Sequence, residues 1–134
     1  MPNAAIRSGI STQSIHTILL AGQDVVVRAP LAQYLRSCGY RVLEARDAKE
    51  ALTILQESSE EIPIVLSGPE DGFRLSGWIR ANRPHVKVII AATLEHAARA
   101  AADLCEVGPH LKRPYDPQLL IQEIRAHLGR GAGD

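Results

Sequence analysis

The 134-residue sequence has no surplus of either charge: 15 Lys and Arg stand against 15 Asp and Glu, and the formal net charge at pH 7 is zero. A chain that tracks a polyphosphate backbone or an anionic membrane gathers positive charge, so neither a nucleic acid nor a membrane surface is indicated as a partner. No apolar run approaches the length of a membrane span, and the N-terminus lacks the charged-then-apolar layout of a signal peptide. Cysteine is sparse. Cys38 and Cys105 stand far apart, outside any CxxC or Cys/His spacing, and read as two small buried hydrophobes in a reducing compartment. The expected location is the cytoplasm.

Several chemical motifs are missing as well. His16, His85, His96, His110 and His127 do not pair with Cys, Asp or Glu at ligand spacing, and are expected on the surface. Gly68–Gly72 lacks the Lys-Ser/Thr end of a phosphate loop. No Ser-His-Asp or Cys-His set can be assembled, so an enzyme is not expected. What is present is ordinary globular composition, 46% hydrophobic and 22% charged. That is enough for the core of one domain.

Strand-like and helix-like patterns alternate along the chain. Residues 1–15 are small, polar and aperiodic and read as a tail, with a domain over 16–129 and a second tail at 130–134. His16 to Ala21 suits a buried parallel strand. A helix comes next, with Val27, Leu31, Leu35 and Cys38 on one face and Gly39 as its stop. Arg41–Ala45 is a second strand. Asp47 with Glu50 forms a capping-box-like start to a helix carrying Ala51, Leu52 and Leu55. Ile62 to Leu66 is a third strand and "GPEDG" a turn. Phe73, Leu75, Trp78 and Ile79 then form one face of a helix that ends before Pro84, with Trp78 read as core.

Val86 to Ala92 is the most continuous apolar run and the best candidate for a central strand. Thr93 caps an Ala-rich helix through Cys105, His110 to Lys112 is a short last strand, and Asp116-Pro117 opens a helix with Leu120, Ile121, Ile124 and Leu128 inward, ended by Gly129. Five strand–helix pairs predict an open, doubly wound parallel α/β sheet with about five helices. Ligands of such sheets bind beyond the carboxyl ends of the strands, at Gly22-Gln23-Asp24, Ser67 to Gly72, Ala92-Thr93 and Arg113-Pro114.

The stretches "HTILLAGQDVVVRAPLAQYLRSCGYRVLEARDAKEAL", "EDGFRLSGWIRANRPHVKVII" and "AAADLCEVGPHLKRPYDPQLLIQEIR" resemble the receiver domain of two-component response regulators. The likeness is to stand-alone receivers whose usual text reads "DGFxLARWxRxxRP" and ends "KPYDP", and it covers residues 16 to 129. It implies the flavodoxin-like fold with strand order 2-1-3-4-5. The family's chemistry is Mg²⁺-dependent transfer of a phosphoryl group from a partner kinase's His to an Asp at the end of the third strand.

Residue by residue, that chemistry does not carry over. Gly22 and Gln23 stand where the family has its metal-holding acidic pair, and Asp24 fits only the more variable third acidic slot. Asp24 is left as a weak metal candidate, so Mg²⁺ binding is expected to be lost or weak. The phosphoacceptor aspartate expected after Leu66-Ser67 is missing, and matching "DGF" at Asp71-Gly72-Phe73 leaves the loop around Ser67 and Gly68 short. Ala92 stands at the hydroxyl-bearing switch position. In Arg113-Pro114-Tyr115 an arginine replaces the lysine that pairs with the phosphoryl group.

The resulting expectation is a degenerate, unphosphorylated receiver acting through protein contact. Its partner would be a histidine kinase, another receiver or itself as a homodimer, met through the face made by the fourth helix, fifth strand and fifth helix. The Ala-rich helix is read either as such a contact surface or as a surface helix set by alanine's propensity. Asp24 and Arg113 are either a metal-free ion pair or two solvated charges. Two alternatives stay open: phosphorylation of a displaced acid (Asp71, Glu70 or Asp24), and a small-molecule-binding flavodoxin-like module. The family match places Asp71 at a helix start, facing away from the pocket.

Overall fold

Among the described residues, nine elements succeed one another in strict strand–helix alternation until the last two. They are β1 (Thr17–Ala21), α1 (Val25–Ser37), β2 (Arg41–Ala45), α2 (Ala48–Glu57), β3 (Ile64–Ser67), α3 (Pro69–Asn82), β4 (Lys87–Ile90), α4 (Leu94–Val107) and α5 (Pro117–Gly133). The structure is a computed structural model that describes residues 17–22, 24–58, 61–107 and 116–133, the last seven of these by backbone alone. Among the described residues the sheet has four strands, all parallel, in the order β2-β1-β3-β4. The expected fifth strand, His110 to Lys112, lies outside the described residues. The predicted order 2-1-3-4 is observed as far as it can be followed.

Local chemistry explains most of the boundaries. Asp24 caps α1, its Oδ1 accepting from the Val26 N–H at 3.1 Å. At the other end Gly39 takes φ +101°, the Gly39 N–H donates to the Arg36 carbonyl, and the Tyr40 N–H donates to the Leu35 carbonyl. This is the left-handed glycine stop expected from the sequence. Asp47 Oδ1 accepts from the Glu50 N–H at 2.8 Å, while Glu50 Oε1 accepts from the Arg46 N–H at 2.6 Å. Thr93 Oγ1 accepts from the His96 N–H, and Asp116 Oδ1 from the Gln118 N–H. Both predicted caps are in place.

Side-chain alternation along the strands divides the core in two. Ile18, Leu20, Val42 and Leu66 point to one face, where α1, α4 and α5 pack through Leu31, Leu35, Ala97, Ala101, Leu120 and Ile124. Leu19, Ala21, Ala45 and Val65 point to the other, where α2 and α3 pack through Ala51, Leu55, Leu75 and Ile79. Each of the larger aliphatic side chains buried here contributes roughly 1.5–3 kcal/mol relative to exposure. A two-residue period can serve both layers only because parallel strands are covered on both sides.

Four expectations are corrected. Phe73 is not on the inward face of α3: it is 70% exposed, while Leu75 and Ile79 are buried. Trp78 does border the core, with the Arg83 guanidinium 5.4 Å from its ring centroid. α5 is not ended by Gly129, and its backbone stays helical to Gly133 through the expected tail. The Ala-rich face of α4 is neither a contact surface nor a solvated one, because Ala97, Ala98, Ala100, Ala101 and Ala102 are buried against α1 and α5. Small side chains there serve close packing within the chain.

The fourth correction concerns the cysteines, which are buried as expected but bonded to each other. Cys38 at the C-cap of α1 and Cys105 in the last turn of α4 form a disulfide with Cα atoms 5.4 Å apart. Their separation of 67 residues hid the pairing, since only the packing of α4 on α1 brings them together. Beside the bridge, the buried Tyr40 hydroxyl donates to the Leu104 carbonyl.

Burial pushes the Tyr40 phenol above its ordinary value of 10.0. The fold thus favours the protonated form. The stability this contributes is complete below the unfolded value and is lost as pH rises through the folded one. Urea unfolding measured across alkaline pH should show stability falling above about pH 10, with a shallower fall in Tyr40→Phe. At neutral pH that variant should lose about 1 kcal/mol with its hydrogen bond.

Candidate functional site

The carboxyl ends of β1 and β3 lie side by side, with Ala21 paired to Ser67 in register. The connection leaving each strand decides the chemistry open to this end of the sheet. After β3 there is almost no loop. Ser67 ends the strand, Gly68 is the N-cap, and Pro69 is already the first residue of α3. Pro suits that position because its missing N–H is one the helix would leave unpaired. "GPEDG" is therefore the N-terminus of α3 rather than a separate turn, and Glu70 and Asp71 belong to its first helical turn. Ser67 is fully buried and its hydroxyl donates to the Gly68 carbonyl at 3.0 Å, so it is turned back into the chain.

After β1 the chain turns at Gly22, whose φ of +74° is one that side-chain-bearing residues rarely adopt and whose N–H donates to the Ala45 carbonyl at 3.0 Å. Directly against this glycine lies Asp71. A Cβ built on Gly22 would stand 2.6 Å from Asp71 Oδ2. The other carboxylate oxygen, Oδ1, accepts from the Ala48 N–H at 2.9 Å. Contrary to expectation, Asp71 does not face away. It reaches from α3 over the end of β1 to the N-terminus of α2, where the free N–H groups favour an anionic acceptor. The neighbouring Gly72 is equally confined, since a Cβ there would meet Ile90 Cγ1 at 2.7 Å. That close approach sets α3 tightly on β4.

The other predicted site residues are dispersed. Asp24 is exposed and its carboxylate is used as the cap of α1. Ala92 is exposed, past the end of β4. Gln23, Arg113, Pro114 and Tyr115 lie outside the described residues, and with them the Asp24–Arg113 pairing. A divalent metal at this end would need converging oxygen ligands. Gly22 offers no side chain, Asp24 caps a helix, and Asp71 holds Ala48. Among the described residues no group of three or more His, Cys, Asp or Glu side chains could hold a metal ion. The residues present do not fit the magnesium site that the resemblance implies.

Elsewhere, charge is paired at the outer strand. Arg28 Nε donates to Glu44 Oε1 at 3.0 Å, and Arg36 lies 3.4 Å from Glu44 Oε2 while also donating to the Val42 carbonyl. Glu44 thus ties α1 to the edge of β2.

No family model matches the chain. It is 26% identical over 113 residues to the uncharacterized transcriptional regulatory protein YbdJ of Bacillus subtilis, covering 84% of this chain and 51% of that protein. It is 23% identical over 119 residues to response regulator RR06 of Streptococcus pneumoniae, covering 84% and 53%. Its backbone superposes on the signal receiver domain of an HD domain-containing protein from Pseudomonas fluorescens Pf-5 with a TM-score of 0.53. That match has 27% sequence identity and covers 90% of this chain and 99% of that one. The chain is thus similar to response-regulator receiver domains in both sequence and backbone. It spans about half the length of the curated relatives it matches. No helix among the described residues is long and apolar enough to cross a membrane.

The Asp71 contact has two marks in the sequence, a glycine after β1 and an acid one residue before a second glycine, but neither says which elements meet. A side chain at residue 22 would force the Asp71 carboxylate to shift from its place against Ala48. Asp71→Ala should cost about 1 kcal/mol, as a lost helix cap does. Gly22→Ala should cost more, from both φ and the collision. In the Asp71→Ala background the collision is gone and only the φ cost remains. A double-mutant cycle by urea unfolding should return a coupling of at least about 0.5 kcal/mol, whereas additive costs would show that the two positions do not compete.

Proposed function

We propose that this receiver signals in a two-component system without being phosphorylated, by contact with a protein partner. The observation that carries the reading is the direct passage from β3 through Gly68 into α3, which leaves no carboxylate at the end of the strand. Acyl-phosphate formation needs a carboxylate nucleophile placed against a metal. The nearest acid, Asp71, is held by the Ala48 N–H, and Mg²⁺ binding is absent or weak. The domain therefore works as a binding module rather than as an enzyme. Its partner is a histidine kinase, a second receiver or a second copy of this chain.

A second reading rests on the same carboxylate. Asp71 Oδ2 lies at the carboxyl end of β1, so a displaced acid is at least in the right region. One experiment separates the two. Incubation with acetyl phosphate or phosphoramidate in excess Mg²⁺, then intact-mass and peptide analysis, should leave the chain unmodified. Phosphate on Asp71, Glu70 or Asp24 would replace the first reading with the second. In parallel, Mg²⁺ should leave Tm unchanged, since only a ligand that binds the folded state raises it.

A further inference from the structure

Three features converge on α4. Its buried face is built largely of alanine, at Ala97, Ala98, Ala101 and Ala102, and a methyl group buries far less apolar area than a leucine side chain. Between α4 and β4 lies a cavity of about 450 Å³, bordered by Ile89 on the strand and by Ala100, Leu104 and Val107 on the helix. Among the described residues the helix covers β4 only in part, with Ile89 half-buried against it. On its opposite side it is bonded to the end of α1 by Cys38–Cys105, with the Tyr40 hydroxyl on the Leu104 carbonyl beside the bridge. Weak apolar hold, space on one side and a covalent tie on the other describe an element whose position depends on the tie.

We propose that Cys38–Cys105 is a redox modification site, acted on by a dithiol reductant, and that its state sets the seating of α4. A reductant thiolate attacks one sulfur, forms a mixed disulfide and releases the other sulfur as a thiolate, which takes up a proton. The second reductant thiolate then attacks the mixed disulfide. The protein disulfide gains two electrons and two protons, and the dithiol loses them as its own disulfide closes. Both cysteines are buried, but Cys38 is the C-cap of α1 and Cys105 lies in the last turn of α4. Helix ends open at lower free energy than the core, and this fraying admits the attacking thiolate. Once reduced, α4 loses its covalent hold on α1 and is free to change its seating. The proposal does not depend on whether the domain takes up phosphate.

The test is hydrogen exchange of the full chain with and without dithiothreitol, preceded by alkylation of the protein purified without reductant. Alkylation should find no free thiol before reduction and two after it. On reduction, the amides of α4 should exchange at least about tenfold faster while those of β1 and α2 stay nearly constant, as expected for a local opening. A Cys38→Ala/Cys105→Ala variant should match the reduced protein with or without dithiothreitol. The wild-type comparison stands alone if that variant fails to fold. Two alkylatable thiols before reduction would overturn the proposal. So would an exchange pattern unchanged by reduction, or one accelerated evenly over all elements, which would make the bridge a staple of the whole fold.

Discussion

The carboxyl end of this sheet is organised by one carboxylate. Asp71 leaves the first turn of α3, fills the space over Gly22 that any side chain there would need, and accepts from the first N–H of α2. Three elements, α3, the end of β1 and the start of α2, are fixed to one another at that point. The contact exists because β3 runs through Gly68 alone into α3. A longer connection would carry the first turn of α3 away from β1. The one-residue connection and the placing of Asp71 are thus one structural feature seen from two sides.

The two layers of helices are held by different means. Over α2 and α3, aliphatic side chains and the close approach of Gly72 to Ile90 give a conventional apolar interface. On the side of α1, α4 and α5 the apolar contribution of α4 is diluted by alanine. Specific ties make up the difference: the Cys38–Cys105 bridge, the Tyr40–Leu104 hydrogen bond and the ion pair of Glu95 with Arg125 on α5. Such ties are discrete and can be broken one at a time, whereas an aliphatic interface weakens only by degrees.

Much of the architecture is legible in the residues because it rests on local chemistry. Asp24, Asp47, Thr93 and Asp116 cap helices where short polar side chains precede apolar periodicity, and Gly39 stops α1 at a positive φ. The alternation of elements implies an open parallel sheet, and the strand order is implied by the resemblance alone. Phe73 was misplaced because a helix start near a strand end exposes a position that periodicity alone assigns to the core. The alanines of α4 were open to two surface readings and belong to neither, since alanine is compatible with solvent, partner and core alike.

By itself, the sequence determined the alternation of elements, their caps and the absence of a carboxylate at Ser67 and Gly68, where β3 ends. All of these depend on residues close together in the chain. Only the tertiary structure decided that Asp71 meets Gly22 and Ala48, and that Cys38 meets Cys105. Those contacts join elements whose separation is set by how helices lie on the sheet. Spacing along the chain carries no record of that distance.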